Sequence, residues 1–274
     1  MSELTDAIET TRRTWSDAAP LDPDALGAQV VDAPPVRSLS EVLSADELAL
    51  VVEPKRATRQ RGTINPELDV AAVARECEAA GASAISVVTE PHLSGGSLED
   101  LRAARANSNV PVIARDFVVD VRQVYALRAA GADALMLPAH VHEDSEPDAD
   151  DRRDDDPDRT DTLAAIVKAA HRLGMEVVLS VTTDEELAFA IETDVDVLNI
   201  DNRDERGEVD VERTFELLAD VPAGWPVISE SIAQLDQVAK LHRAGVDALL
   251  LDEGHLDTGL TSALAVYADV SLDA

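Results

Sequence analysis

Two opposite charges close a short apolar run in this chain: Leu48-Ala49-Leu50-Val51-Val52 leads into Glu53-Pro54-Lys55. A run this short and rich in valine reads as a strand buried on both faces, and the proline ends it. A carboxylate and an ammonium at the carboxyl end of a buried strand stand where parallel α/β folds carry their chemistry. The pair suits proton transfer, with Lys55 as the acid and Glu53 as its partner. Glu53 favours the charged ammonium and burial opposes it, so the Lys55 pKa is expected near enough to neutrality to give up a proton. The choice of lysine carries weight, because the chain has three lysines (Lys55, Lys168, Lys240) against twenty arginines. The plainer alternative is a structural salt bridge at a strand end.

Arg56, Arg59 and Arg61 follow at once and form a basic cluster in a very acidic chain. Arginine-lined loop ends suit phosphate, so the cluster reads either as an anion clamp or as counterion balance. His140 and His142 stand beside many carboxylates, but an acidic run without fixed geometry does not make a metal site. Neither a metal nor a cofactor is expected. Cys77 excludes an internal disulfide and reads as a small core residue.

The elements that must position these residues repeat along the chain. Helix ends run into strands at Glu78-Ala-Ala-Gly-Ala-Ser-Ala-Ile-Ser-Val-Val88, Arg128-Ala-Ala-Gly-Ala-Asp-Ala-Leu-Met-Leu137, Glu192–Ile200 and His242-Arg-Ala-Gly-Val-Asp-Ala-Leu-Leu-Leu251. Glycine ends three of these four helices, as a left-handed C′ residue does. Apolar runs predict eight strands near 48–53, 83–88, 111–114, 134–138, 176–181, 196–201, 225–229 and 247–252. Helical patterns fall between them: 69–80, 97–106, 121–130, 162–173, 184–191, 211–218, 235–244 and 258–267. Eight such units predict a closed (β/α)8 TIM barrel over 48–274, with an open doubly wound sheet as the alternative. Residues 1–47 read as an N-terminal helical extension, with helices over Ser2–Trp15 and Ser40–Leu48 and caps offered by Ser40 and Ser44. The stretch 142–161 is acidic and nearly without apolar residues, which predicts a solvated insertion after the fourth strand.

Composition bounds the partners. The formal net charge is −32 over 274 residues, which opposes binding to nucleic acid and to anionic membranes. Acidic charge spread along the chain with scarce lysine suggests a halophilic habitat, since at about 1 M salt the Debye length is only roughly 3 Å. No apolar run approaches a membrane span, and Met1–Asp6 lacks a signal pattern, so a cytoplasmic location is expected.

Several motifs follow one another in order: Glu53-Pro-Lys55, Ile85-Ser-Val-Val-Thr-Glu90, Gly96-Ser-Leu-Glu-Asp-Leu101, Val110-Pro-Val-Ile-Ala-Arg-Asp-Phe117, Asp201-Asn-Arg-Asp204 with Glu208-Val-Asp210, and Ser229-Glu-Ser231. Taken together, over about residues 48–254, they resemble the indole-3-glycerol phosphate synthase family. The resemblance implies a carboxy-lyase of tryptophan biosynthesis, an enzyme of amino-acid biosynthesis. Its reaction closes and decarboxylates 1-(2-carboxyphenylamino)-1-deoxyribulose 5-phosphate, an anionic sugar phosphate. It also implies Glu53, Lys55 and Ser231 as catalytic positions, Phe117 against the substrate ring, and Arg203, Glu230 and Glu253 in substrate binding. Other tryptophan-pathway enzymes are candidate partners.

The chain departs from the family pattern at several of these positions. Arg115 replaces a lysine and, keeping its proton, reads as a binder of carboxylate or phosphate rather than an acid. Ser180 stands where the family has a catalytic glutamate, and Asp201 replaces an asparagine and becomes the candidate base. Asp252 puts a carboxylate where the family holds phosphate, while Arg59 offers a relocated anion contact. The alternatives are a catalytically silent or repurposed paralogue that binds a metabolite or a pathway enzyme, and a different phosphate-handling barrel. Glu53, Lys55, Arg115, Ser180, Asp201, Ser231 and Asp252 are predicted to gather at one mouth of the barrel.

Overall fold

The computed structural model describes residues 3–18, 22–45, 47–142, 162–203, 208–231, 235–252 and 259–268. Eight parallel strands close into a ring: β1 (Ala49–Val52), β4 (Ala84–Val88), β5 (Val112–Arg115), β6 (Ala134–Pro138), β7 (Glu176–Val181), β8 (Val197–Asp201), β9 (Val227–Glu230) and β10 (Ala248–Leu251). β1 pairs with both β4 and β10, so the ring has no edge, and the open doubly wound sheet is excluded. β2 (Ala57–Thr58) and β3 (Gly62–Thr63) form a small antiparallel hairpin after β1, where the sequence pointed only to a basic loop.

Helices α4 (Val70–Ala79), α5 (Leu98–Asn107), α6 (Val121–Ala129), α7 (Leu163–Arg172), α8 (Asp184–Ile191), α9 (Glu212–Leu218), α10 (Val238–Ala244) and α11 (Leu260–Ala268) alternate with the strands. The side chains of Asp69, Ser97, Asp120, Thr162 and Thr183 accept backbone N–H groups at the first turns of α4 to α8. Each such cap is worth about 1 kcal/mol against alanine.

Strand alternation divides the apolar residues into two layers. Ala49, Val51, Ala84, Ile113, Ala134, Met136, Val178, Val197, Ile228, Ala248 and Leu250 fill the inside of the barrel. Leu50, Val52, Ile85, Val112, Leu135, Val177, Leu198 and Leu249 pack outward against the helices, in the larger cluster that also buries Cys77. The Ser or Asp that ends the turn before a strand has a mechanical role at the amino-terminal rim. Ser83 accepts from Leu50 N, Asp133 from Val112 N, Asp196 from Val177 N and Asp247 from Val227 N, so each turn ties its strand to the one before.

Three helices precede the barrel: α1 (Glu3–Ser16), α2 (Pro23–Val30) and α3 (Leu39–Leu43). α3 plugs the amino-terminal end, where Leu39 and Leu43 join the inner cluster. Glu176 at the start of β7 accepts from the backbone of Leu39 at 2.5 Å and of Ser40 at 3.1 Å. The expected helix over Ser40–Leu48 is shorter and earlier, because Ser38 rather than Ser40 or Ser44 takes the cap position and accepts from Glu41 N. α2 is not among the expected helices, although Asp22 caps it and Pro23 opens it. α1 docks at the other end, where Ile8, Leu4 and Trp15 pack with Phe117, Val119 and Val141. Of the acidic stretch expected at 142–161, His142 alone lies within the described residues. No helix among the described residues is long and apolar enough to cross a membrane.

Candidate active site

The parity that fills the barrel with alanine, valine and leucine changes chemistry at the carboxyl ends. Continuing the inward positions upward reaches Glu53 after β1, Ser86 on β4, Arg115 on β5, Ser180 on β7, Asn199 and Asp201 on β8, Glu230 on β9 and Asp252 after β10. These side chains meet in one network of alternating charge. Lys55 Nζ lies 2.9 Å from Glu53 Oε1, and Arg115 Nη1 lies 2.9 Å from the same oxygen. Arg115 Nη1 also reaches Glu230 Oε1 at 2.9 Å. Arg203 donates to Glu230 Oε1, forks onto both oxygens of Asp201 at 3.1 Å, and reaches Asp252 Oδ2 at 3.2 Å.

Burial orders the charges. The Glu53 and Glu230 side chains are fully covered, whereas those of Arg203 and Arg115 are 16% and 20% exposed. The two glutamates therefore lie beneath the guanidinium groups of Arg115 and Arg203, while Asp201, 15% exposed, reaches as far out as Arg203. Burial alone would raise both glutamates, but Arg115 and Lys55 outweigh it at Glu53, and Arg115, Arg203 and Lys55 outweigh it at Glu230. Both carboxyls are held below their ordinary values and are ionised.

Lys55 departs from expectation. Burial pushes its pKa down, but Glu53 foremost and Glu230 as well outweigh the burial, and the result lies above the ordinary lysine value. One carboxylate is adjacent in the sequence, whereas the barrel supplies two. Lys55 is a fixed ammonium here, not a group poised at neutrality. Asp201 moves the other way, raised by burial and by the neighbouring charge of Glu230 against the pull of Arg203.

Uncharged partners hold the network in place. Ser86 donates to Glu53 Oε2 at 2.5 Å, and Asn199 donates to Ser180 Oγ at 2.8 Å and Glu230 Oε2 at 2.9 Å. Asn202 uses its full capacity: Nδ2 donates to Ser229 Oγ and Glu230 O, and Oδ1 accepts the backbone and hydroxyl of Thr214. That lock fixes the turn carrying Asp201 and Arg203. Ser231 closes β9 with φ 62°, the one positive-φ non-glycine among the described residues, and its buried hydroxyl has no partner there. A strained backbone with an unspent donor at a strand end is a feature of working sites.

The remaining expected residues lie further out. Phe117 is half-buried in the cluster under α1. Arg59 is exposed in the β2–β3 turn, close enough for its charge to depress the His140 imidazole, though burial is the larger cause there. Arg56 does not share an anion clamp with it, because Asp100 takes its guanidinium at 2.6 and 2.9 Å and Leu68 O accepts a further bond. This pairing explains much of the Gly96–Leu101 motif. Ser97 caps α5 and donates to Asp100, and a Cβ at Gly96 would stand 2.1 Å from the Val88 carbonyl oxygen. Asp252 is paired with Arg203, so its charge is compensated rather than left facing a ligand. Glu253 lies outside the described residues. Ser86 and Asn199 were not anticipated; the available signal was a polar residue inside an otherwise apolar strand.

The family model for indole-3-glycerol phosphate synthase matches residues 5–258. A protein of that name from Bacteroides thetaiotaomicron is 32% identical over 230 residues, covering 83% of this chain and 82% of its own. One from Dechloromonas aromatica is 33% identical over 264 residues, covering 93% and 95%. Among solved structures, 3-hexulose-6-phosphate synthase from Salmonella typhimurium aligns with TM-score 0.58 at 15% identity, covering 81% of this chain and 97% of that one. N-(5'-phosphoribosyl)anthranilate isomerase from Pyrococcus furiosus aligns with TM-score 0.53 at 13% identity and the same coverage. Those two likenesses speak to the barrel alone. The family match runs from residue 5 to 258, through the strand ends that hold the charged network, and with the two sequence relatives it places this chain in the indole-3-glycerol phosphate synthase family.

Proposed function

We infer that this chain performs the family reaction, the ring closure and decarboxylation of 1-(2-carboxyphenylamino)-1-deoxyribulose 5-phosphate. The observation that carries the reading in this molecule is the pair of guanidiniums, Arg115 and Arg203, held at the mouth over two buried carboxylates. The substrate brings a carboxylate, a phosphate and a ketone, and each calls for a cation or a donor. Ring closure bonds the aromatic carbon bearing the carboxylate to the ketone carbon, and the ketone oxygen gathers negative charge. Loss of carbon dioxide returns the bond pair to the ring. The oxyanion takes a proton from the Lys55 ammonium, and the hydroxyl so formed leaves as water with a second proton from solvent as a base removes one from the neighbouring carbon.

Lys55 supplies the ammonium for the developing oxyanion. Its raised pKa suits strong hydrogen bonding and electrostatic stabilisation, with Glu53 as the partner that holds it. Arg115, in the family's lysine position, takes the substrate carboxylate with Arg203, and Glu230 aligns both guanidiniums. Asp201, with its raised pKa, is the base in place of the glutamate that Ser180 replaces. Ser231 offers its hydroxyl to the substrate, Phe117 covers the aromatic ring, and Arg59 with Glu253 belongs to the phosphate side. Residues 1–47 serve as an extension on a barrel of 48–274, with 142–161 as an insertion. The net charge of −32 supports a saline cytoplasm as the working environment.

The test is a synthase assay in high salt on the wild type, Lys55→Arg and Ser180→Glu. Turnover is expected for the wild type and abolished in Lys55→Arg, because a planar guanidinium cannot replace the ammonium at the same point. Ser180→Glu is expected to leave turnover unchanged or raise it. A wild type without turnover that Ser180→Glu does not rescue overturns the reading.

A further inference from the structure

A second cavity, of about 190 Å³, lies outside the barrel under α1, between the loop after β4 and helices α5 and α6. Trp15, Pro91, Leu98 and Leu127 supply its apolar lining, three threonines with Gln123 and His92 its further polar lining, and Asp116 sets a carboxyl among them. Asp116 follows inward-facing Arg115 on β5 and turns away from the charged network. Its two oxygens accept Thr89 Oγ1 at 2.7 Å and Phe117 N at 2.8 Å, which leaves lone pairs on each. Among the described residues it has no ion-pair partner. Burial foremost, with the charge of Glu90, pushes its pKa up to about 6 against the pull of the two hydrogen bonds and of His92, so near neutral pH it is an ionised carboxylate without an ion pair among the described residues.

We propose that this cavity is a second ligand site, for a small aromatic molecule carrying a protonated amine. The volume sets the size. A cavity of about 150 Å³ with apolar walls holds benzene, so this one holds a single ring with a short amine arm. The walls set the chemistry, because the rim of Trp15 and the leucines suit a ring while Asp116 suits an ammonium. Arg122 lies over the Trp15 ring at 5.6 Å from its centroid, but Asp120 takes its charge at 2.7 and 2.9 Å. The net charge of −32 draws cations toward the molecule and repels competing anions. Asp116 also lies between Arg115 and Phe117, so an occupant bears on the strand end that carries the charged network and on the docking of α1.

The experiment uses the full chain with Trp225→Phe, which leaves Trp15 as the fluorescent reporter, since the chain has two tryptophans. Benzylamine is titrated against benzyl alcohol, its neutral counterpart of similar shape. Benzylamine is expected to change Trp15 emission saturably with Kd on the order of 1 mM, the range open to so few atoms. Benzyl alcohol is expected to bind at least about tenfold more weakly, one charge-assisted contact being worth that factor. Asp116→Asn should erase the preference, and Ala126→Phe should abolish binding by filling the cavity. Should Ala126→Phe fail to fold, as read by circular dichroism, Thr14→Phe on the exposed face of α1 fills the same space and carries the test. Absence of saturation across the millimolar range, equal affinity for the two probes, a preference that survives Asp116→Asn, or binding that survives the filled cavity would each overturn the proposal.

Discussion

Glu53→Gln is the substitution that most directly tests the charged network. Glu53 is fully buried and receives Lys55 at 2.9 Å, Arg115 at 2.9 and 3.2 Å and Ser86 at 2.5 Å. Glutamine keeps the shape but removes the charge, leaving an ammonium and a guanidinium with Glu230 as their nearest compensation. Breaking a buried pair in this way costs about 3–5 kcal/mol. With an unfolding entropy of roughly 2.1 cal/mol/K per residue, a chain of 274 residues has about 0.6 kcal/mol/K, so Tm should fall by about 5–9 °C. The same change acts on Lys55. Glu53 is the foremost charge holding its pKa above the ordinary lysine value, and burial, which opposes it, remains after the substitution. The Lys55 pKa must therefore fall. Activity that needs the ammonium is then lost on the alkaline side at a lower pH than in the wild type, and kcat at the optimum drops by about 10²- to 10⁴-fold. Melts read the first effect and a pH–rate profile of kcat the second. A variant with wild-type Tm and an unmoved alkaline limb would refute the claim that Glu53 anchors both cations.

Three further outcomes follow from other parts of the molecule. Asp116 has a folded pKa of about 6 against an ordinary 3.8, so between those values the folded state holds a proton that the unfolded state has lost, and stability falls as pH rises through that window. Asp116→Asn should therefore gain about 2–3 kcal/mol relative to the wild type between acid and neutral pH, at 1.36 kcal/mol per unit, and parallel urea-denaturation curves at both pH values would disprove it. Glu176→Ala releases the backbone of Leu39 and Ser40 at the closed end of the barrel. It should cost about 1–3 kcal/mol of stability and leave kcat unchanged, since the site is at the opposite end; a large loss of kcat would contradict that separation. Thermal melts between low and molar potassium chloride should show a marked rise in midpoint, as screening relieves a net charge of −32, and an indifferent midpoint would refute the saline reading.

The barrel was legible in the sequence because its signals are local and repeated. Apolar runs recur in every unit, a glycine at the helix end or a cap at the helix start in most, and eight repeats leave a ring as the natural arrangement. The strand ends were legible for the same reason, which singles out Glu53 and Lys55, whereas Arg115, Asp201 and Glu230 enter through the resemblance to the family. α2 has its local signal in Asp22-Pro23 but only eight residues of helix behind it, and the β2–β3 hairpin is too short a run to carry a periodicity. Tertiary structure alone decided which charges meet. Lys55 and Glu230 are far apart in the chain, yet β9 brings that second carboxylate beneath the ammonium and turns a pKa expected to fall into one that rises. The same holds for Arg203, which reaches across from β8 to neutralise Asp252 beyond β10, and for Arg56, which Asp100 withdraws from the arginine cluster. A residue's type and spacing fix what it can donate or accept. The field it feels is a sum over neighbours from other strands, and closure of the barrel determines those neighbours.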